Sequence, residues 1–143
     1  LLVAQQRGWD YTTPDCEALD DDAGGFNASN EPNRSRIWIY DTATKAWDHV
    51  AWELAPKPAD AAWVGLSEIT AAPDGSYVVL ERDNQGGPDG RIKEIRSFPI
   101  SDVTFKPQGE RFDIVGRSQQ SLVRNLVPDM LATGGYLIEK VEG

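Results

Sequence analysis

Short apolar segments separated by polar turns recur along most of this chain, and they limit its fold more than any other sequence feature. They are rich in Val, Ile, Leu, Trp, Tyr and Phe, as is typical of β-strands, whereas helical periodicity is almost absent before residue 118. The pattern predicts an all-β fold of antiparallel strand meanders, which a β-propeller or a sandwich fits best. The predicted strands are 1–6, 36–41, 46–54, 76–82 and 91–100.

Turn residues predict two hairpins and leave one helical candidate. In RIWIYDTATKAWDHVAWEL, Asp41 opens a polar turn and can accept hydrogen bonds within it. In EITAAPDGSYVVL, the Pro-Asp-Gly sequence predicts a tight turn between neighbouring strands. Only the region near 118–132 has helical spacing, with Leu122 and Leu126 four residues apart and Pro128 interrupting. We expect a short helix or an irregular insertion there.

Length and charge exclude several classes of protein. The 143 residues suffice for one domain with its own core, and the formal net charge of −9 argues against binding to nucleic acid or to an anionic membrane surface. No apolar run approaches the roughly 20 residues of a membrane span, and no signal-peptide pattern is present. Because the chain starts without Met inside a strand-like segment, we expect it to be part of one domain, truncated at both ends.

Residues 10–35 form a polar, Asp-rich loop that contains part of a calcium-binding pattern. Asp20, Asp22, Gly25 and Glu31 match positions 1, 3, 6 and 12 of an EF-hand loop. Gly24 stands where an oxygen ligand is required, and neither flank has helical periodicity. An exposed acidic loop is therefore the better interpretation. The same loop holds Cys16, the only cysteine, so no internal disulfide is possible.

A charged segment follows the apolar run YVVL without a break: Glu81, Arg82, Asp83 and Asn84. Because alternate residues of a strand share a face, Glu81 and Asp83 point the same way. Pairing across the Pro-Asp-Gly turn puts Glu68 at a comparable height, so we expect its carboxylate to approach that of Glu81. The segment thus predicts a cluster of carboxylates at one end of a sheet.

Two interpretations of this cluster stay open. Converging carboxylates are ligands for Ca²⁺ or Mg²⁺, and a neighbouring Arg82 and Lys93 would neutralise a phosphoryl group, as metal-assisted phosphoester hydrolysis requires. Alternatively, Arg82 pairs with Glu81 or Asp83 in a salt-bridge network at a solvated strand end. Chemistry alone favours the salt-bridge network.

Four segments, in order, resemble a known family: AQQRGWD, WVGLSEITAAPDG, VVLERDNQGGPDGRIKEI and the terminal KVEG. The family is described as having esterase-like activity of phytase, and its members are bacterial secreted or periplasmic β-propeller proteins. The resemblance covers residues 3–10, 63–100 and the last few. It implies that 1–143 is part of one phytase-like β-propeller domain, with 10–35 as an insertion. Since the family continues beyond the closing Glu-Gly, we expect the isolated fragment to be inactive.

The resemblance also implies a function and a set of site residues. The implied function is a periplasmic or secreted phosphoric ester hydrolase that acts on a small-molecule phosphate ester with a Ca²⁺-like ion. The implied metal ligands are Glu68, Glu81, Asp83 and Glu142. The implied substrate-binding residues are Arg7, Arg82, Asn84 and Lys93. The implied catalytic residues are Glu68, Glu81, Arg82 and Lys93.

The sequence leaves two other functions open. A non-catalytic β-propeller would bind a ligand or partner through its top loops, and the charged segment would then be structural. A carboxylic esterase would need a nucleophile, but GLSEI lacks the second glycine of a nucleophile elbow. His49, the only histidine, lies among Trp residues, and we expect it to be packed rather than to act as a general base.

Overall fold

The computed structural model describes residues 1–6, 34–107 and 113–133, which fold into β-strands with little helix. This confirms the all-β prediction. Within these ranges the strands are β1 (Leu2–Ala4), β2 (Arg34–Asp41), β3 (Ala46–Glu53), β4 (Val64–Ala71), β5 (Ser76–Asp83), β6 (Lys93–Pro99), β7 (Lys106–Pro107), β8 (Ile114–Val115) and β9 (Ser121–Asn125). The α-helix is α1 (Val127–Ala132).

The strands form two sheets, each largely a meander. The first sheet has the order β1-β2-β3-β7, and β8 pairs with β3 in parallel. The second sheet has the order β4-β5-β6-β9 and is antiparallel throughout. Four-stranded antiparallel meanders are also the blades of β-propellers, and the propeller itself stays a prediction.

Both predicted hairpin turns form through local contacts. Asp41 Oδ1 accepts a hydrogen bond from the Ala43 N–H at 2.8 Å, and Lys45 closes the turn with a φ of 58°. In the second turn Asp74 Oδ1 accepts from the Ser76 N–H at 2.9 Å, while Gly75 has a φ of 85°. A glycine suits this left-handed conformation because it has no Cβ. These turns fix the registers of β2 with β3 and of β4 with β5.

One apolar core lies between the two sheets. The Trp52 and Phe98 rings, one from each sheet, meet edge to face with their centroids 5.4 Å apart. Burial of such side chains is the main stabilising term of the fold. The other core side chains include Ile37, Val50, Leu66, Val79 and Val115, all at most 1% exposed.

The helical prediction for 118–132 is correct only for its last part. Residues 121–125 form β9, which pairs with β6 at the edge of the second sheet, and α1 begins afterwards at Val127. Leu122 is more than half exposed, so its spacing from Leu126 does not mark a buried helix face. Pro128 lies in the first helical turn, where the missing N–H costs no hydrogen bond, so it opens the helix instead of interrupting it.

Part of the predicted acidic loop is strand, since β2 already begins at Arg34. Most of the loop, including Cys16 and the calcium-like pattern, lies outside the described residues. Within the described ranges, no helix has the length and apolar character needed to cross a membrane.

His49 is packed, as its sequence context predicts. It is 1% exposed and stacks against Trp38 with ring centroids 4.7 Å apart. Burial, followed by the positive charge of Arg36, lowers the pKa of His49 from 6.5 to about 4. The imidazole is therefore neutral in the folded protein at pH 7.

This lowered pKa predicts an acid-sensitive contribution to stability. In the unfolded chain His49 takes up a proton near pH 6.5, whereas in the folded protein it stays neutral down to a pKa of about 4. Its contribution is therefore complete above pH 6.5 and is lost as the pH falls. Between pH 6.5 and 5 we expect a loss of about 1.5 kcal/mol, because the slope approaches about 1.4 kcal/mol per pH unit only below the pKa of the unfolded state.

Urea unfolding at a series of pH values measures this loss in the wild-type protein and in His49→Gln. The variant should have a flatter dependence of stability on pH over this interval, whatever its stability at pH 7. Equal slopes for the two proteins would contradict the assignment.

Candidate functional site

Glu81, near the end of β5, accepts hydrogen bonds from both sides of the core while its side chain is completely buried. Trp52 Nε1, from the first sheet, donates to Oε2 at 2.9 Å, and the Ala55 N–H donates to Oε1 at 2.9 Å. Arg117 Nη1 lies 2.8 and 2.9 Å from the two carboxylate oxygens. Glu81 therefore joins the two sheets, and its charge is compensated by Arg117.

Arg117 is held in place at several points, although its side chain stays 27% exposed. It follows β8 in a short 3₁₀ turn, and its backbone N–H donates to Glu53 Oε2 at 2.8 Å. Nη1 also donates to Gln120 Oε1 at 3.1 Å, and Nη2 lies 3.4 Å from Glu94 Oε2. Sequence reasoning missed this residue. The one signal that could have found it is the scarcity of basic residues in an acidic chain, which makes the position of each one informative.

Asp83 and Lys93 form a second, fully buried ion pair. Lys93 Nζ donates to Asp83 Oδ1, to the Asp83 carbonyl at 3.2 Å and to the Gln85 carbonyl at 2.6 Å. Asp83 Oδ2 accepts from the Arg91 N–H at 2.8 Å and from the Ile92 N–H at 2.9 Å. An ammonium group has three donors, so all those of Lys93 are used within the fold.

These contacts decide the ionisation of Asp83. Burial raises the pKa of the Asp83 carboxyl, but the hydrogen bonds from Lys93, Arg91 and Ile92 and the charge of Lys93 outweigh burial. The pKa of Asp83 therefore lies below its usual value, and the group is a carboxylate at neutral pH. The contacts of Asp83 and Lys93 hold the loop between β5 and β6 around this buried carboxylate.

Arg82 and Asn84 hold the chain that leads into β4. The Arg82 guanidinium lies over the Trp63 ring, 4.8 Å from its centroid, and Arg82 Nε donates to Ser67 Oγ. Asn84 Oδ1 accepts from the Ala62 N–H at 2.7 Å and from the Trp63 N–H at 3.2 Å. Both side chains therefore contact the segment that precedes β4, or β4 itself.

Glu68 does not approach Glu81, contrary to the expectation from the sequence. A β-bulge at Ser67 shifts the register of β4, so that Leu66 lies opposite Glu81 but Glu68 lies opposite Leu80. Because side chains alternate between faces, the extra residue turns Glu68 to the face opposite Glu81. Glu68 is exposed and accepts a hydrogen bond from the Ile69 N–H.

The charged segment is thus a salt-bridge network, but its position and partners differ from the prediction. Its carboxylates are buried instead of solvated. Glu81 pairs with Arg117 and Asp83 with Lys93, whereas the sequence predicted Arg82 as the partner. Buried carboxylates need close cations because an uncompensated charge in a core is costly.

The donors around Glu81 and Asp83 leave these two carboxylates unsuited to hold a calcium ion. Ca²⁺ takes about six to eight oxygen ligands, but N–H and ammonium donors occupy the oxygens of Glu81 and Asp83. In the parts of the chain that the structure describes, no group of three His, Cys, Asp or Glu residues is arranged to hold a metal. Arg7 and Glu142, two further predicted site residues, lie outside these parts.

A family model described as phytase-like, with esterase-like activity of phytase, matches residues 3–143. The chain belongs to this phytase-like family. No curated protein and no solved structure matches it. The family match confirms the resemblance seen in the motifs of this phytase-like protein. It extends beyond those motifs and includes Arg117 and its surroundings.

Proposed function

We propose that this phytase-like protein hydrolyses phosphoric esters. The family match over residues 3–143 carries the proposal, since a match over nearly the whole chain is more specific than its separate motifs. Members of the family are generally extracellular, which supports a periplasmic or secreted location. The proposed substrate is a small-molecule phosphate ester that binds near the end of β5.

The sequence assigned catalysis to Glu68, Glu81, Arg82 and Lys93, and these roles stay predictions. The contacts support an indirect role for Glu81, because its buried carboxylate fixes Arg117 at a partly exposed position. Such positioning matters for catalysis, since a displacement of about 1 Å can cost about 100-fold in rate. Lys93 and Asp83 fix the neighbouring loop in the same way.

Calcium also stays a prediction, and no step of the proposal depends on it. A calorimetric titration of the protein with calcium, carried out before and after treatment with a chelator, tests for calcium binding independently of turnover. A stoichiometric heat of binding that disappears with the chelator would support calcium as a cofactor, and the absence of any such heat would contradict it.

The hydrolysis assay uses the protein in its full natural length, of which residues 1–143 are part, with p-nitrophenyl phosphate, and with p-nitrophenyl acetate as the carboxylic ester control. We expect saturable release of phosphate and at most weak cleavage of the acetate. Glu81→Gln should lower the turnover of phosphate ester at least about tenfold at a temperature where the variant is folded, because Arg117 loses its anchor. Absence of phosphate release by the folded wild-type protein would remove the proposal.

One observation favours a second function, a non-catalytic module that binds a ligand or partner through its top loops. Glu81, Arg82, Asp83 and Asn84 all have contacts inside the fold, so the segment has a structural role that needs no reaction. Under this alternative, Glu81→Gln lowers the melting temperature and changes no activity. Loss of turnover in a variant that stays folded excludes it.

A further inference from the structure

Glu81 and Glu94 lie directly opposite each other on β5 and β6. Like charges at opposed positions of a sheet destabilise it unless a cation lies between them. Arg117 fills that place, because Nη1 contacts both Glu81 oxygens at 2.8 and 2.9 Å while Nη2 lies 3.4 Å from Glu94 Oε2. One guanidinium therefore serves two carboxylates.

Glu94 in turn lies between two arginines, which we call the arginine pair: Arg96 and Arg117. The same Glu94 oxygen accepts from Arg96 Nε at 2.7 Å and from Arg117 Nη2 at the longer distance of 3.4 Å. The side chains of Glu94, Arg96 and Arg117 are 16%, 12% and 27% exposed, so solvent reaches all three. A carboxylate already lies where both guanidinium groups can meet an anion.

The guanidinium of Arg117 is fixed before any ligand arrives. Its Nη1 is bound by Glu81 and by Gln120, whose own amide donates to the Glu53 and Val115 carbonyls at 2.9 Å. Among the described residues, no acceptor meets Arg117 Nε, and Nη2 has only the long contact to Glu94. A guanidinium that is held in place loses less entropy on binding an anion than a mobile one.

We propose that the arginine pair binds the phosphate group of the ester and that Glu94 occupies this site in the absence of ligand. The proposal rests on the function proposed above and names the residues that recognise its substrate. Phosphate suits the site because it offers several strong acceptor oxygens to planar guanidinium groups. Glu94 is displaceable from Arg117, since their 3.4 Å contact exceeds the roughly 2.7–2.9 Å of a strong charge-assisted hydrogen bond, whereas its 2.7 Å contact with Arg96 lies within that range.

The test measures binding of inorganic phosphate to the purified protein by calorimetry, at constant ionic strength set with chloride. Glu94→Gln keeps the size of the side chain but removes the competing charge, so we expect phosphate to bind about tenfold more tightly, equivalent to about 1.4 kcal/mol. Arg117→Lys keeps the positive charge but loses the fork of donors, and should weaken binding about tenfold. Asp129→Asn, at the exposed Arg124–Asp129 pair, is the control and should leave binding unchanged.

The expected increase in affinity cannot arise from misfolding, because an unfolded Glu94→Gln variant would not bind phosphate more tightly than the wild-type protein. An unchanged dissociation constant in folded Glu94→Gln, or no phosphate binding in either the wild-type protein or this variant, would overturn the proposal. If the variants shift phosphate binding but the protein cleaves no ester, the arginine pair stands and the hydrolase function fails. If the protein cleaves the ester with the same KM in wild type, Glu94→Gln and Arg117→Lys, the function stands and the arginine pair fails.

Discussion

Replacing Lys93 with Met should lower the free energy of unfolding by about 3–5 kcal/mol, the cost of removing one partner from a buried ion pair. Asp83 and Lys93 are both completely buried, and among the described residues Lys93 provides the one ammonium group that contacts the Asp83 carboxylate. In the variant, the Asp83 charge keeps its backbone N–H donors but loses its counter-ion. Urea unfolding at pH 7 measures the loss.

A matched control and a double variant sharpen this result. Lys57→Met changes an exposed lysine whose ammonium donates to the Ala61 carbonyl, and it should stay within about 0.5 kcal/mol of wild type. Asp83→Asn combined with Lys93→Met should cost less than the sum of the single changes, since the two charges act as one unit. Additive losses would show that the pair is not coupled.

Amide hydrogen exchange adds a local measurement of the same network. The Arg91 and Ile92 N–H groups both donate to Asp83 Oδ2. Asp83→Asn should raise their exchange rates above those of β5 amides, because an amide has one acceptor oxygen and cannot serve both Lys93 and these two N–H groups. Unchanged protection at both amides would mean that Asp83 does not order this loop.

Glu81→Gln should destabilise the protein by about 3 kcal/mol. The carboxylate accepts hydrogen bonds from Trp52, Ala55 and Arg117. In a glutamine, the side-chain NH2 group would replace one acceptor oxygen and would face at least one of these donors without being able to accept from it. Arg117 would also lose its closer counter-ion and keep only the longer contact to Glu94, although its partial exposure limits that cost. Thermal unfolding measures the total effect.

Asp129→Asn is the control for Glu81→Gln, because it removes a carboxylate from an exposed ion pair on the second sheet. Exposed ion pairs contribute little to stability, so this variant should melt with the wild-type protein. Equal melting temperatures for Glu81→Gln and Asp129→Asn would contradict the buried role of Glu81.

Much of the fold was predictable because its strongest signals are local. Asp41 and the Pro-Asp-Gly sequence form turns within a few residues, and these turns set the pairing of the strands on either side. The strand at 121–125 was missed because its apolar spacing also fits a helix. Its pairing with β6 at the sheet edge, which no local pattern encodes, decides its structure.

The site was less predictable because its contacts are distant in sequence or depend on one irregular residue. The bulge at Ser67 sends Glu68 to the opposite face, and the sequence contains no signal for a bulge at that position. Arg117 lies 36 residues after Glu81, and nothing near Arg117 indicates that partner. Sequence reasoning therefore found the charged segment, but its salt-bridge interpretation named Arg82 as the cation.

The late position of Arg117 in the sequence also has a consequence for the order in which parts of the fold form. Each hairpin can form from local contacts, but the Glu81 carboxylate becomes a compensated charge only when a residue 36 positions later has arrived. Until then, closing the two sheets over Glu81 would bury an unneutralised charge, which opposes closure. We therefore expect the hairpins to form early and the two sheets to dock in a late step, after the segment between β8 and β9 has arrived.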